Sequence, residues 1–566
     1  MAAAVRKLIL AQPDGKRQEF ELARSSVLIG RALTNDVVLQ DARVSRAHAR
    51  LDCGPDGCTL VDLGAPNGTW VNGKRVSAAP LAPGDALVLG DSHLTFSAGL
   101  VETESQVTVL ETAAALDATL LTTSLPQTLN EHSGPRLVVL APDRTWEVPL
   151  EVDALSIGRF EDNDLALDYE KVSRHHARLE RKGEGFRLKD LNSRNGTWMG
   201  AQRVDDQPLR NGDTFRTGPV TFVFKGGFGN AALTALDTLT SLPHQPRRPV
   251  VIVPGVMGSE LFLGSEKVWP DVKHLFRNPE LYQLPDKTPL EPRGLVQEVV
   301  IVPNLIKLDQ YNRLGDYLVE ELGYERGNDL LEFPYDWRQD VRQSARRLGE
   351  RIEAWDPPAP VTIIGHSLGT LVSRFYVERL GGQRRVERLI LMGGPHQGVP
   401  KAAASLVLGP NLLPFGLMGD RLRDVMATFF SSYQILPTYP CAVDQDGKRY
   451  DLFAMDAWLT EAQRPLIAAA RDFRRELGHH SSVPAVSIFG YGLETITGLK
   501  LRHGLGDVLS QFKLIAEPDG DSTIPKLSSV LPGTEIHPVR QYHGSLFVDN
   551  DVKMRLKLEL TRELPG

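Results

Sequence analysis

The chain has 566 residues, 42% hydrophobic and 24% charged, with 64 basic and 71 acidic side chains for a formal net charge of −7. That length predicts three or four domains, and the acidic balance argues against a general nucleic-acid binder. Fifty glycines and 38 prolines are too few for a low-complexity chain, three cysteines cannot make a disulfide scaffold and suit a reducing compartment, and no apolar run approaches the ~18 residues of a bilayer span.

The N-terminal stretch MAAAVRKLILAQPDG has a brief apolar run, then turn residues, and no A-x-A site after a signal-type core. It reads as the first strand of a domain. That domain is duplicated. Gly30-Arg31, Asn35-Asp36, Ser45-Arg46, Asn67-Gly68-Thr69-Trp70 and Gly84-Asp85 return as Gly158-Arg159, Asn163-Asp164, Ser173-Arg174, Asn195-Gly196-Thr197-Trp198 and Gly212-Asp213, each pair 128 residues apart. Five motifs held in one register without an insertion mean two copies of one fold. Alternating runs such as Ala86-Leu87-Val88-Leu89 and 220–224, broken by turn residues about every 8–12 positions, predict an all-β sandwich. The domains are placed at residues 1–99 and 135–226.

An arginine fork beside a hydroxyl and an amide suits a phosphate dianion, because charge-assisted guanidinium bonds are about twice as strong as neutral ones and often bidentate. Hairpin chemistry accounts for Asn72-Gly73, and loop pinning for His48 and His176. It does not account for Gly-Arg, Ser-Arg-x-His and Asn-Gly-Thr returning in the same order. On these motifs both copies resemble forkhead-associated (FHA) domains, sandwiches whose loops bind phosphothreonine peptides. The resemblance implies that Arg31, Ser45 and Asn67, then Arg159, Ser173, Ser193 and Asn195, hold phosphate and peptide backbone. The second copy has Ser193 two residues before its Asn; the first has Ala65-Pro66-Asn67 and lacks that hydroxyl, which favours the second copy as the binder.

Linkers at 100–134 and 227–247 resemble each other, LDATLLTTSLPQ (116–127) beside LDTLTSLPHQ (236–245). They read as tethers or short amphipathic caps. The sharper expectation is that Thr112, Thr119 or Thr238 is phosphorylated and captured by a neighbouring module.

From Pro249 the periodicity changes. Val250-Val251-Ile252-Val253 is a continuous apolar run closed by Pro254-Gly255, the pattern of a strand buried on both faces, and 361–364, 389–391 and 486–489 repeat it. The clearest helix between them is predicted to open at Asp336, with Gln339 completing a capping box and Trp337, Val341, Ala345, Leu348, Ile352 and Trp355 forming one apolar stripe. The alternation predicts an α/β fold on a mainly parallel sheet.

Gly365-His366-Ser367-Leu368-Gly369 follows one such strand and precedes a helix predicted over 370–380, the strand–turn–helix setting of a G-x-S-x-G nucleophile elbow. The glycines suit a tight turn in which backbone nears helix, and the helix N-terminus favours developing negative charge. A serine needs a base oriented by a carboxylate, in the chain order Ser, acid, His. Loop 517–525 offers Asp519 and Asp521, and the chain beyond offers His537 and His543; the residues alone leave the choice open. Oxyanion donors are expected at the N–H of Leu368 and of Val256, in the loop 254–259.

Six segments together resemble the lecithin:cholesterol acyltransferase-like α/β-hydrolases, which include phospholipid:diacylglycerol acyltransferases and lysosomal-type phospholipases. They are Val253-Pro254-Gly255-Val256-Met257-Gly258-Ser259, Pro334-Tyr335-Asp336-Trp337-Arg338, the elbow, Gly393-Gly394-Pro395-His396-Gln397-Gly398, Gly520-Asp521-Ser522-Thr523-Ile524-Pro525 and His543. The resemblance covers about 248–560 and implies Ser367 as nucleophile, Asp521 as orienter and His543 as base. Where many members read G-D-G-T-V-P, this chain has G-D-S-T-I-P. The secretory leader and disulfides of extracellular relatives are expected to be absent, and Asp336 and Trp337 are read as structural. Residues 402–418, AAASLVLGPNLLPFGLM, are broken by Pro410 and Pro414 and read as a lid or acyl-pocket wall, or equally as a buried cap helix. Residues 264–310, including Trp269 and Leu275-Phe276, are expected to complete the cap.

The sequence thus predicts a multidomain chain, two all-β FHA sandwiches followed by an α/β-hydrolase domain with a cap or lid at 248–566. The expected activity is serine-dependent lipid acyl transfer (O-acyltransferase) through an acyl-enzyme, regulated or localised by the FHA domains. Water as acceptor makes it a lipase or phospholipase; in another class, it is a phosphopeptide-binding scaffold on an inert hydrolase fold. No cofactor or metal is required. Expected partners are a lipid ester, a phosphothreonine protein or the chain's own phosphorylated linker, a Ser/Thr kinase and a transient membrane or lipid surface. The expected location is cytoplasmic, with peripheral attachment to a membrane as the alternative.

Overall fold

A computed structural model of the chain describes residues 5–99 (except 12–16, 22–25, 32–34, 36, 40, 42, 46, 55–56, 83 and 91), 134–226 (except 184) and 248–561 (except 286–288, 303–305, 310, 409–418 and 502–511). The linker threonines Thr112, Thr119 and Thr238, and the second half of the apolar stretch 402–418, lie outside the described residues. The described residues fall into two compact units, one within Met1–Val109 and Gly134–Gly227, the other within Phe228–Gly566.

The repeat seen in sequence is a repeat of topology. In the first copy a six-stranded sheet runs Arg17–Glu21, Val5–Ala11, Ser92–Gly99, Ala86–Leu89, Thr69–Val71, Lys74–Val76, and a five-stranded sheet runs Val37–Val38, Ser26–Gly30, Ala49–Gly54, Gly57–Asp62, Ala78–Leu81. The second copy repeats both orders, with Thr69–Val71 answered by Thr197–Met199 and Gly57–Asp62 by Gly185–Asp190. Period-two alternation builds each core: Cys58 and Leu60 point inward from one strand, Phe186 and Leu188 from its counterpart. At Asn72-Gly73 both residues have positive φ (49° and 75°), the requirement of a two-residue hairpin that follows the strand twist.

One expectation is corrected here. Cys53 and Cys58 form a disulfide, because the register of Ala49–Gly54 against Gly57–Asp62 sets them directly opposite one another with a Cα–Cα distance of 4.0 Å. Cys441 is buried and free.

In the second unit a six-stranded sheet runs Leu330–Glu332, Val250–Val253, Val361–His366, Val386–Met392, Ala485–Gly490, Glu535–Val539, with every neighbouring pair parallel. Alternate residues feed two cores. Val251, Val253, Ile363 and Leu391 pack with Leu348, Leu371, Phe375 and Phe473 from the helices Val341–Trp355, Leu368–Arg379 and Arg464–Leu477. Val250, Ile252, Ile364 and Ile488 pack on the other face with Leu314 and with Val552 and Leu556 of helix Asn550–Thr561. This two-sided burial is why the strands read as unbroken apolar runs.

The helix expected from Asp336 begins at Val341, and its N-cap is Asp340, whose carboxylate accepts the Arg342 N–H at 2.8 Å. Asp336 is already committed to a buried ion pair with Arg338 at 2.7 Å, so it cannot cap. A three-stranded antiparallel sheet (Glu266–Trp269, Ser259–Leu263, Glu291–Leu295) and helix Pro400–Leu408 lie outside the six-stranded sheet. No helix of the described residues is long and apolar enough to cross a membrane.

Candidate active site and anion-binding loops

Parallel strands send their carboxyl ends the same way, so the loops after Val250–Val253, Val361–His366 and Val386–Met392 meet at one edge of the sheet. Ser367 stands there at φ 52°, between its strand and helix Leu368–Arg379. A side chain seldom adopts that backbone without a reason, since the strain is about 1–3 kcal/mol. The glycines around it are forced by contact: a Cβ on Gly369 would lie 2.2 Å from the Val253 oxygen, and one on Gly255 2.8 Å from Ser367 Cβ.

Asp521 and His543 reach the same edge from further along the chain. Asp521 is 0% exposed. Its Oδ1 accepts the N–H groups of Thr523 (3.0 Å) and Ile524 (2.6 Å), and its Oδ2 accepts from His543 Nδ1 at 2.8 Å. A carboxylate can only accept, so Nδ1 carries the proton and Nε2 is left as the acceptor. Ser367 and His543 line one cavity of about 120 Å³, whose walls are mainly apolar and include Val399, Leu406, Met426, Ile435 and Ile524. Val256 and Leu368 line it too, and neither backbone N–H has a protein partner among the described residues. The rival candidates are engaged elsewhere. Asp519 pairs with Lys526 at 3.2 Å, and burial pushes its carboxyl above the usual range. His537 is buried beside Asp551 at 3.6 Å.

A second layer was not found in the sequence. Gly255 N–H donates to the Tyr311 hydroxyl at 2.6 Å, that hydroxyl donates to His366 Nδ1 at 2.7 Å, and His366 Nε2 donates to the His543 carbonyl at 3.1 Å. The chain of bonds needs a neutral His366, and burial, with His543 close by, pushes its imidazole down to about 3. The 254–259 loop is also clamped from outside: Trp269 Nε1 donates to the Met257 carbonyl (2.8 Å), Tyr335 hydroxyl to that of Pro254 (2.8 Å) and Trp337 Nε1 to that of Ser259 (3.3 Å). The P-Y-D-W-R segment thus holds the loop that carries Val256.

In the second FHA-like copy, Ser173 N–H donates to His176 Nδ1 at 3.0 Å, so His176 Nε2 donates to the Gly196 carbonyl at 3.2 Å. Burial keeps that imidazole below its ordinary range, neutral as these bonds require. The Asn195 amide donates to the Lys171 carbonyl at 2.8 Å, tying the two loops together. Asn195 and Arg174 are exposed, and Arg159 and Ser173 are half-buried. Ser193 is buried with its hydroxyl given to Asp190 at 2.6 Å, which braces the loop from inside. The first copy reproduces the frame: Ser45 N–H to His48 Nδ1 (3.0 Å), His48 Nε2 to the Gly68 carbonyl (3.2 Å), and the Asn67 amide to the Arg43 carbonyl (2.7 Å), with Arg31 exposed. It differs at two bonds near the serine. Ala65 lacks the hydroxyl that Ser193 gives to Asp190. Arg194 N–H donates to Ser173 Oγ at 3.0 Å, whereas its counterpart Pro66 has no N–H to give Ser45. Two further repeats escaped the sequence reading: Arg75 and Arg203 lie under Gly68 and Gly196, so close that a Cβ there would meet them at 2.4 and 2.7 Å.

Three regions of the chain match known families. Residues 155–218 match the FHA domain family, 303–486 the lecithin:cholesterol acyltransferase family, and 13–99 the cytoplasmic domain of the inner membrane component of T3SS. The FHA match covers the second copy; the first is tied to it by strand order and motif offset. Seventy-nine residues are 44% identical to the ABC transporter ATP-binding/permease protein Rv1747 of Mycobacterium tuberculosis, 14% of this chain and 9% of that protein. Ninety-nine residues are 32% identical to the oxoglutarate dehydrogenase inhibitor of Corynebacterium jeikeium, 18% of this chain and 69% of that one. A stretch of 219 residues is 26% identical to the lysosomal phospholipase A and acyltransferase of Bos taurus, covering 30% of this chain and 53% of that enzyme. The chain therefore spans about half of its lipid-acting relative and a small part of the transporter.

Proposed function

Because the chain belongs to the FHA-domain proteins and carries a lecithin:cholesterol acyltransferase-family region, we propose that it is a phosphothreonine-reading enzyme that moves acyl chains from lipid esters. In this reading residues 248–566 are an α/β-hydrolase domain capped by residues 264–310 and the helix Pro400–Leu408. Ser367 attacks the ester carbonyl while His543 Nε2 takes its proton, and Asp521 holds the Nδ1 side and stabilises the imidazolium. The N–H groups of Val256 and Leu368 receive the oxyanion. The acyl-enzyme then passes its chain to an alcohol, which is O-acyl transfer, or to water, which is phospholipase or lipase activity. The observation that carries this reading is the buried Asp521–His543 pair at 2.8 Å opening on the same apolar-walled cavity as Ser367.

The second sandwich, 135–226, is the phosphothreonine reader. Arg159, Ser173 and Asn195 supply its donors and Ser193 braces them. The first, 1–99, offers Arg31, Ser45 and Asn67 without the bond that fixes the serine hydroxyl. The ligand is a phosphothreonine protein or the chain's own linker after a Ser/Thr kinase has acted, and it places the hydrolase at its lipid surface or sets its rate.

The test is a lipid ester assay with and without an alcohol acceptor, reading new ester against free fatty acid. Wild type is expected to give one or both products and Ser367→Ala neither, a loss of about a thousandfold or more. Unchanged turnover in Ser367→Ala overturns the reading.

A further inference from the structure

Two arginines and a histidine meet in the interior of the second unit, where neither guanidinium is ion-paired with a carboxylate among the described residues. Arg374 lies on helix Leu368–Arg379 and Arg474 on helix Arg464–Leu477, two helices joined by the Phe375–Phe473 stack at 5.6 Å. His396 lies in the loop after Val386–Met392. Their exposures are 0% for Arg374, 7% for Arg474 and 2% for His396. Some donors are used: Arg374 Nη2 reaches the carbonyls of Gly478 and His480, each at 3.0 Å, and Arg474 Nη1 and Nη2 reach those of His396 (2.9 Å) and Pro395 (3.1 Å). Arg374 Nε and Nη1, Arg474 Nε and both ring nitrogens of His396 are buried and have no hydrogen-bond partner among the described residues. Among the described residues no carboxylate pairs with either guanidinium. Glu378, which acts on Arg374 from a distance, accepts instead from the N–H (2.8 Å) and hydroxyl (3.2 Å) of Ser482.

The two guanidiniums repel one another. Burial first, then Arg374, pushes Arg474 down to about 9, and burial takes Arg374 to about 10, so both stay cationic at neutral pH. Burial, then the two arginines, keeps His396 neutral, with one ring nitrogen a donor. Buried polar groups are nearly always paired, and a buried charge without a partner is among the least tolerated features of a fold. A water would accept from two of these N–H groups, but it carries no charge and leaves both guanidiniums uncompensated.

We propose that Arg374, Arg474 and His396 form a buried binding site for a small monovalent inorganic anion of the size of chloride. A spherical anion accepts N–H groups from several directions at once and is less costly to dehydrate than a phosphate dianion. The bound ion fixes the loop that backs the active site: Arg474 grips the Pro395 and His396 carbonyls, and at the start of that loop Gly393 lies so close to the His543 ring that a Cβ would come 2.8 Å from Nδ1.

The full chain exchanged into gluconate buffer tests this. Adding sodium chloride or bromide is expected to raise the thermal midpoint saturably, sodium gluconate at matched ionic strength is not, and Arg474→Met is expected to lose the halide response. A bromide-soaked crystal of the unmutated chain reads the site independently of that variant's folding: an anomalous peak is expected within hydrogen-bonding distance of Arg374 Nη1 and Arg474 Nε. Equal midpoints in chloride and gluconate with no bromide peak mean a hydrated arginine pair and overturn the proposal. A larger, competing shift with inorganic phosphate overturns the assignment to a halide.

Discussion

Ser522 stands beside the carboxylate of Asp521 at φ 74°, with its hydroxyl buried and unpartnered among the described residues. Both features disfavour serine: left-handed backbone costs a non-glycine residue roughly 1–2 kcal/mol, and an unsatisfied buried hydroxyl about 1–3 kcal/mol. Glycine removes both and returns about 0.5–1 kcal/mol through the entropy of the unfolded chain. Ser522→Gly is therefore expected to stabilise the protein by about 1–4 kcal/mol in urea unfolding; equal or lower stability means the hydroxyl has a partner the fold conceals. His366 gives a pH signature. Its folded value of about 3 lies below the ~6.5 of an unfolded histidine, so the unfolded chain takes up the proton first. Stability from this group is present above pH ~6.5 and is lost as pH falls toward 3. His366→Gln is expected to flatten the acid limb of stability against pH by about one proton, roughly 1.4 kcal/mol per pH unit; an unchanged slope contradicts the neutral relay from Tyr311 to His543.

Among the elements, the paired loops of the two sandwiches differ where it matters for an anion. The second copy fixes Ser173 Oγ with Arg194 N–H, and the first has Pro66 in that place. Titrating the full chain with a phosphothreonine peptide, Arg159→Ala is expected to weaken binding at least about tenfold, the ~1.5–3 kcal/mol of a hydrogen bond to a charged group, and Arg31→Ala less than about threefold. The reverse ranking makes the first copy the reader. Much at this level was legible in the sequence. The offset of 128 residues carried the sandwiches, since alternation and turn chemistry recur together. The elbow was legible because Gly365 faces contacts that lie within the strand–turn–helix itself, whereas Gly369 is required by the Val253 and Pro254 carbonyls of the neighbouring strand end. The rest depends on three-dimensional partners. Asp519 and Asp521 look alike in one loop until Lys526 and His543 separate them. Asp336 resembles a cap until Arg338 takes its carboxylate. Tyr311 lies 55 residues before its partner His366, with no local pattern to mark it. Cys53 and Cys58 are joined by a hairpin register that spacing alone does not reveal.

Across the whole second unit, the parallel sheet does the assembling. It delivers Gly255, Ser367 and Gly393 from three adjacent strand ends, while His543 follows the edge strand Glu535–Val539 and Asp521 returns from the antiparallel pair Leu493–Leu501 and Phe512–Gly520. The hydroxyl, imidazole and carboxylate are far apart in the chain and act only if this convergence holds. A fluorophosphonate reacts with a serine whose proton has been taken, so intact mass and peptide mapping after its addition report on the convergence directly. One adduct is expected, on Ser367, absent in Ser367→Ala and formed about a thousandfold more slowly in His543→Ala. An adduct on another residue, or labelling of Ser367 that is indifferent to His543, contradicts that convergence.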